Sequence, residues 1–480
     1  MKTNLLLIIP TLALSAALLF TGPGGEAAGA REKPHEQASH ADDQEALSVT
    51  VYNSNLGLVK ETRRLTLPAG ITELKFSDVA AQIMPQTVHI TSLTDPAGLG
   101  VLEQNYEYDL LSPQKLLDKF VGKEINVLRD GVEIPITILS THGGIVYRMG
   151  DRIFTDHPGK MIFPGLPENL LPNPTLVWRL ENETTRPQKV EATYLTNGMT
   201  WRSDYVAILD KEDQKIDLTG WVTLDNKSGA TFKNAKLKLV AGDVNRVLDR
   251  FETRDAPHAL EMAAAKSAAA PFTEESFFEY HLYSLQRPTT LKDNQTKQVT
   301  LLTANQVPVK KRFLYYGAAH FYRTQYGTPI SNQKVGVYVE IANKKENQLG
   351  MPLPKGTLRV YKADSDGSLQ FIGEDRIDHT PKDETIKIKM GDAFDLVAER
   401  KQTEWKKIAW DTYEVAFEVS LRNHKETSAT ISVIEPIPGD WGILKTTHDF
   451  TKVEAHTVQF DVPVGKDKEV KLQYRVRVRF

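Results

Sequence analysis

The densest run of groups able to do chemistry lies between Gly373 and Arg400, and it contains Asp378, His379, Asp383, Asp392, Asp395 and Arg400. A histidine beside paired carboxylates suits hydrolysis, and such a set needs no short motif. These side chains act together only if two hairpins fold against each other. Thr380-Pro381-Lys382-Asp383 and Gly391-Asp392 also have turn chemistry, which explains the same residues without any reaction. We take the turn reading as the leading one and the shared polar site as its competitor.

The other reactive groups are sparse. The 12 histidines include no H-E-x-x-H and no pair four apart on a helical segment, so no metal site is expected. His142, His157, His320, His379, His424, His448 and His456 are scattered among turns. Asp364-Ser365-Asp366-Gly367 resembles part of a calcium loop, but that register puts Lys362 first and Gly373 last, where acids are required. A hairpin tip is expected there. No G-x-S-x-G elbow, Walker loop or G-x-G-x-x-G occurs, and no cofactor is expected. With no cysteine, disulfides, zinc-thiolate sites and a thiol nucleophile are excluded.

Two apolar patterns admit more than one reading. Tyr315-Tyr316, Phe321-Tyr322 and Tyr326 could stack on sugars or peptides, although core packing is the commoner use of such residues. Residues Tyr474 to Phe480 alternate apolar and basic, as in the last strand of an outer-membrane barrel. The short, charged strands elsewhere favour a terminal sandwich strand.

The elements that must position these residues are strands. Hydrophobic residues make up 40% of the 480-residue chain and charged residues 25%, so a folded core is expected. Lys+Arg (59) nearly balance Asp+Glu (62), which argues against a nucleic-acid partner. The N-terminus reads as a signal peptide over residues 1–30: Lys2, an apolar run from Leu5 to Phe20, then Ala28-Gly29-Ala30 as the cleavage site. No Arg-Arg pair precedes the run, so the general secretory route is expected, with a periplasmic or extracellular destination. No later segment is apolar enough to span a bilayer.

Residues 31–46 are polar and expected to be a disordered leader. Residues 47–174 read as an N-terminal β domain, with Ser112 capping a short helix. Five short strands over 122–163, joined by tight turns, suggest an inserted small SH3-like barrel. Residues 175–309 read as a β-sandwich interrupted by an Ala-rich helix or linker at 255–272, and residues 310–480 as a C-terminal sandwich. Leu180-Glu181-Asn182, Leu224-Asp225-Asn226, Ile341-Ala342-Asn343 and Leu421-Arg422-Asn423 each end an alternating strand. Pro-x-Gly precedes strands at Pro68, Pro354 and Pro463. That punctuation suggests tandem immunoglobulin-like sandwiches in a mainly β protein.

Several stretches resemble the bacterial family known as domain of unknown function 4139, which includes the mucoidy inhibitor A proteins. They are Val51 to Val59, Tyr194 to Trp201, Lys236 to Asp243 and His379 to Arg400. The resemblance implies an envelope context and brings no catalytic residues. Relatives named for mucoidy inhibition carry a coiled-coil insertion, where this chain has its small-barrel segment. The expected function is an exported, non-enzymatic envelope protein that binds a protein or envelope polymer. The alternative is a hydrolase of envelope polysaccharide or peptide using residues 378–400.

Overall fold

The computed structural model describes residues 35–107, 111–167, 170–171, 173–242, 244–245 and 272–480. The expected signal peptide with its cleavage site lies outside the described residues. So does the Ala-rich stretch, apart from Phe272, which opens a strand.

The chain is mainly β. The N-terminal part forms β1 (His35–Ser39), β2 (Gln44–Tyr52), β3 (Leu56–Leu65), β4 (Gly70–Ser77), β5 (His89–Ser92) and β6 (Leu99–Glu107). An insertion follows with α1 (Pro113–Lys119), β7 (Glu124–Arg129), β8 (Val132–Ser140), β9 (Val146–Met149), β10 (Arg152–Phe154) and β11 (Lys160–Ile162). Next come β12 (Thr175–Asn182), β13 (Gln188–Thr196), β14 (Met199–Leu209), β15 (Lys215–Asn226) and β16 (Phe232–Ala241). Beyond residue 271 lie β17 (Phe272–Phe277), β18 (Tyr280–Leu285), β19 (Thr289–Leu291), β20 (Gln295–Tyr316) and β21 (Ile330–Ala342). They lead to β22 (Gly356–Ala363), β23 (Leu369–Ile377), β24 (Thr385–Lys407) and β25 (Thr412–Asn423). The chain closes with β26 (Ala429–Pro436), β27 (Asp440–Thr446), β28 (Thr451–Glu454), β29 (Thr457–Val464) and β30 (Lys468–Arg479).

Residues 35–46 correct the expectation of a disordered leader. β1 runs parallel to β4, with Gln37 opposite Leu74, and the carbonyl of Ser39 accepts from the buried Arg63 guanidinium at 2.9 Å. Backbone pairing at a sheet edge replaces the apolar burial that the segment's side chains lack. Composition reports side chains, so it could not reveal this.

The insertion has all five expected strands, in the order β10-β9-β8-β7-β11. The sheet is open, because β10 and β11 stand at opposite edges and do not pair. Closure is unnecessary: α1 covers the apolar face with Leu117, and Phe120, packed edge-on to Phe163 at 5.1 Å, extends the cover over Val127, Ile136 and Ile138. Ser112 caps α1 by accepting from the Lys115 amide at 3.2 Å.

The remaining strands do not divide at residues 174 or 309. β12 lies between β4 and β6, β13 between β3 and β5, and β16 runs parallel to β2. The first two expected domains are therefore interleaved over one core, which includes Val49, Phe76, Trp178, Trp201, Leu237 and Leu358. The longest sheet runs β23-β22-β14-β15-β20-β21-β24-β25-β30-β27. β20 has 22 residues and β24 has 23, against a usual strand of about 5–6. β20 serves the first core with Leu301 and Val307 and a second core with Tyr315. β24 does the same with Ile386 and Ile388, then Leu396 and Ala398. Two strands thus pass unbroken from one core to the next. Among the described residues no helix is long and apolar enough to cross a membrane.

Candidate functional site

The six candidate residues are spread over β24 and the turn that leads into it. Asp378, His379 and Asp383 lie in the turn before it, Asp392 and Asp395 along it, and Arg400 beyond them. At ~3.3 Å per residue, the path from Thr385 to Asp395 covers roughly 30 Å. His379 Nδ1 accepts from the Lys355 amide at 3.3 Å. Asp392 pairs with Lys389 at 3.4 Å. Asp395 accepts the His424 amide on its backbone carbonyl at 2.8 Å. The structure does not bring these side chains together.

Asn343 explains the first group. Its Nδ2 donates to the carbonyls of Met351 (2.9 Å), Thr380 (3.5 Å) and Pro381 (2.8 Å), and its Oδ1 accepts the Gly350 amide at 2.9 Å. Asp383 follows at φ 67° and donates its amide to the Asn343 carbonyl at 2.8 Å. The same clamp occurs at each strand-ending asparagine singled out in the sequence. Asn182 donates to Leu67 and Pro68, Asn226 to Leu291 and Lys292, and Asn423 to Val464 and Gly465. In every case the residue three after the first of the two consecutive acceptors (Leu67, Leu291, Thr380 and Val464) has positive φ: Gly70, Asn294, Asp383 and Asp467. A strand then begins, and it pairs with the strand the asparagine ends. All four asparagines are buried. An amide suits the place because it donates and accepts at once, so it satisfies buried carbonyls that the ladder leaves open.

Arg400 belongs to a different structure. It is buried between β24 and β26, ion-paired to Glu435, which is fully buried. Arg400 donates to the hydroxyls of Tyr315 (3.3 Å) and Tyr474 (3.2 Å), while Tyr322 donates to Glu435 Oε2 at 3.0 Å. Burial pushes the Tyr322 and Tyr474 hydroxyls well above the ordinary tyrosine range, and the Glu435 charge adds to it. For Arg400, burial opposes the charge and Glu435 overrides that opposition, holding the guanidinium protonated. The enclosed network ties β20, β24, β26 and β30 through one charge pair. Tyr315, Phe321 and Tyr322 are thereby core residues, as the packing reading expects.

Glu61 and Arg63 form a second buried pair at 2.8 Å on β3, with the Arg63 guanidinium 3.4 Å from the Phe76 ring centroid. Sequence reasoning singled out neither Glu435 nor this pair. The signal was parity: Glu435 continues the inward series Ala429, Ile431, Val433, and Glu61 and Arg63 continue Val59 toward Leu65.

Asp392 lines a cleft. This cleft of about 270 Å³ has an apolar floor of Val337, Val339, Ile372 and Met390, with Asp213, Lys311 and Lys362 on its wall. Lys311 and Lys362 both pair with Asp213, the first at 2.7 Å. Burial works to raise the Asp213 pKa, but the two ammonium groups prevail and hold it below the usual carboxylate range. Such a cleft can seat a small group with an apolar body and a polar end. Among the described residues, no set of three His, Asp or Glu side chains converges to hold a metal ion. The Asp364 segment is the expected hairpin tip: its carboxylate accepts the amides of Asp366 and Ser368.

No protein-family model matches the chain, and no curated protein matches it.

Proposed function

We propose that the chain is an exported, non-enzymatic component of a bacterial cell envelope: a stiff stack of immunoglobulin-like sandwiches with an SH3-like insert, binding a protein or envelope polymer. The observation that carries this reading is the fourfold asparagine clamp, repeated in strand pairs of both cores. Repetition of one structural device is the mark of a scaffold, in which each unit holds its neighbour in register. The polar stretch 378–400, the best offer the sequence makes of a reaction centre, is spent on one such clamp, one ion pair and one buried network. The resemblance to the domain of unknown function 4139 family and the N-terminal Ala28-Gly29-Ala30 site support an envelope location.

The test is fractionation combined with binding. The full chain expressed in a Gram-negative host is expected in the osmotic-shock fluid, beginning near Arg31, and retained on a defined envelope fraction. Recovery of Met1 in the cytoplasmic fraction, or no retention on any envelope fraction, contradicts it.

A further inference from the structure

The end of the β24–β25 hairpin reads Trp405-Lys406-Lys407-Ile408-Ala409-Trp410-Asp411-Thr412-Tyr413, with Ile408 to Asp411 as its turn. Trp410 is 82% exposed and Ile408 45%. Leaving large apolar side chains in water is costly, and a loose loop would let them fold back. This turn is not loose. The Ile408 and Ala409 amides donate to the Thr412 carbonyl at 2.8 and 3.1 Å, and the Phe480 amide donates to the Asp411 carbonyl at 2.9 Å. The Asp411 carboxylate accepts from Arg479 and Thr412, both at 2.8 Å, and these bonds hold it below the usual carboxylate range. Behind the tip, Trp405 packs on Tyr413 at 5.0 Å and Tyr413 on Phe480 at 6.0 Å.

The charges around this apolar tip are asymmetric. The acidic side chains are already matched: Glu404 by Arg475, Asp411 by Arg479 and Glu414 by Arg477, with Asp440 also beside Arg479. Lys406, Lys407 and Arg323 enter no ion pair among the described residues, and Lys407 and Arg323 lie over the Tyr413 and Phe480 rings. A second exposed aromatic tip, Phe277-Phe278 between β17 and β18, has the opposite surroundings, with Glu274, Glu275 and Glu279.

We propose that the Ile408–Trp410 turn is a docking point for an anionic lipid surface. Tryptophan favours the boundary between water and acyl chains, and adjacent lysines are drawn to anionic headgroups. The tip protrudes as a rigid turn, which suits insertion into a bilayer surface better than capture of a peptide in a groove. The inference goes beyond the scaffold reading and stands or falls separately from it, since vesicle binding requires neither export nor an envelope polymer.

The experiment is sedimentation of the purified chain with vesicles of phosphatidylglycerol and phosphatidylcholine in equal parts, against vesicles of phosphatidylcholine alone. Binding to the anionic vesicles, weakened by salt, is expected. Trp410→Ala should reduce it about tenfold with an unchanged melting temperature, because little of that side chain is buried. Lys406→Gln with Lys407→Gln should remove the preference for anionic lipid, and Phe278→Ser should change nothing. Absence of binding to the anionic vesicles at low salt overturns the proposal. So does undiminished binding by Trp410→Ala, or Trp410-dependent capture of a protein while vesicles stay unbound.

Discussion

Asn343 closes a ring with the turn that starts β24: its side chain donates to the Pro381 carbonyl at 2.8 Å, and its own carbonyl accepts the Asp383 amide. Residues that a sequence search selects for acid–base chemistry are here parts of a turn. The clamp also explains why the polar stretch is so polar. A strand-initiating turn needs a left-handed residue, and its carbonyls need a donor from the interior.

Replacing Asn343 or Asn423 by Ala leaves buried carbonyls without donors, and each should lower stability by roughly 2–3 kcal/mol. Asn→Asp at either place should do the same or worse, since an ionised carboxylate presents acceptors to acceptors. Urea denaturation of the four variants checks this. A loss within the error of the measurement would remove the clamp from the account.

Asp383 offers a sharper contrast, because its φ is 67°. Asp383→Gly should leave stability unchanged within about 0.5 kcal/mol, whereas Asp383→Val should cost more than 1 kcal/mol. A carboxylate with a chemical role would make both replacements alike in function.

Strand alternation, the α1 cap and the four strand-ending asparagines were readable, because each is a local pattern with a local cause. The structure adds the distant partner, which only folding brings near. Domain boundaries failed for the same reason. β12, β13 and β16 pair with strands more than a hundred residues earlier, and no composition shift records that. The polar site failed because an uninterrupted β24 separates residues that two hairpins would have joined.

The Arg400–Glu435 pair should show the asymmetry of a buried ion pair. Arg400→Met or Glu435→Leu alone strands a charge and should cost about 3–5 kcal/mol, while the double variant should recover much of that loss. A double-mutant cycle in urea measures it. Additive losses in the double variant would contradict the pairing.

Acid should destabilise the chain through carboxylates that fold into ion pairs. Asp213 has a lowered pKa in the folded state, with burial opposing and Lys311 and Lys362 prevailing. Its contribution is present above the unfolded value of about 3.9 and is lost as pH falls through the lower folded value. Glu61 has the opposite sign: burial raises its pKa although Arg63 counteracts it. Asp213→Asn should therefore flatten the stability curve below about pH 4. An unchanged acid limb would show that Lys311 and Lys362 do not stabilise its charge.

The β1 amides that donate to β4 should exchange slowly, because five residues lie in register along that strand and Arg63 holds the Ser39 carbonyl, while the alternate amides face out from the sheet edge. Arg63→Ala should expose those amides before any others in the first core. Hydrogen exchange read residue by residue tests it, and rapid exchange of every β1 amide in the unaltered chain would mean the leader is loose.

The non-enzymatic reading is tested most directly by incubating the protein with isolated peptidoglycan and envelope polysaccharide while following polymer length. The same assay is run on His379→Ala and Asp395→Ala, with melting temperatures recorded. The account predicts that the polymers keep their length with all three proteins. Polymer shortening by the unaltered chain, abolished in either variant at an unchanged melting temperature, would contradict it.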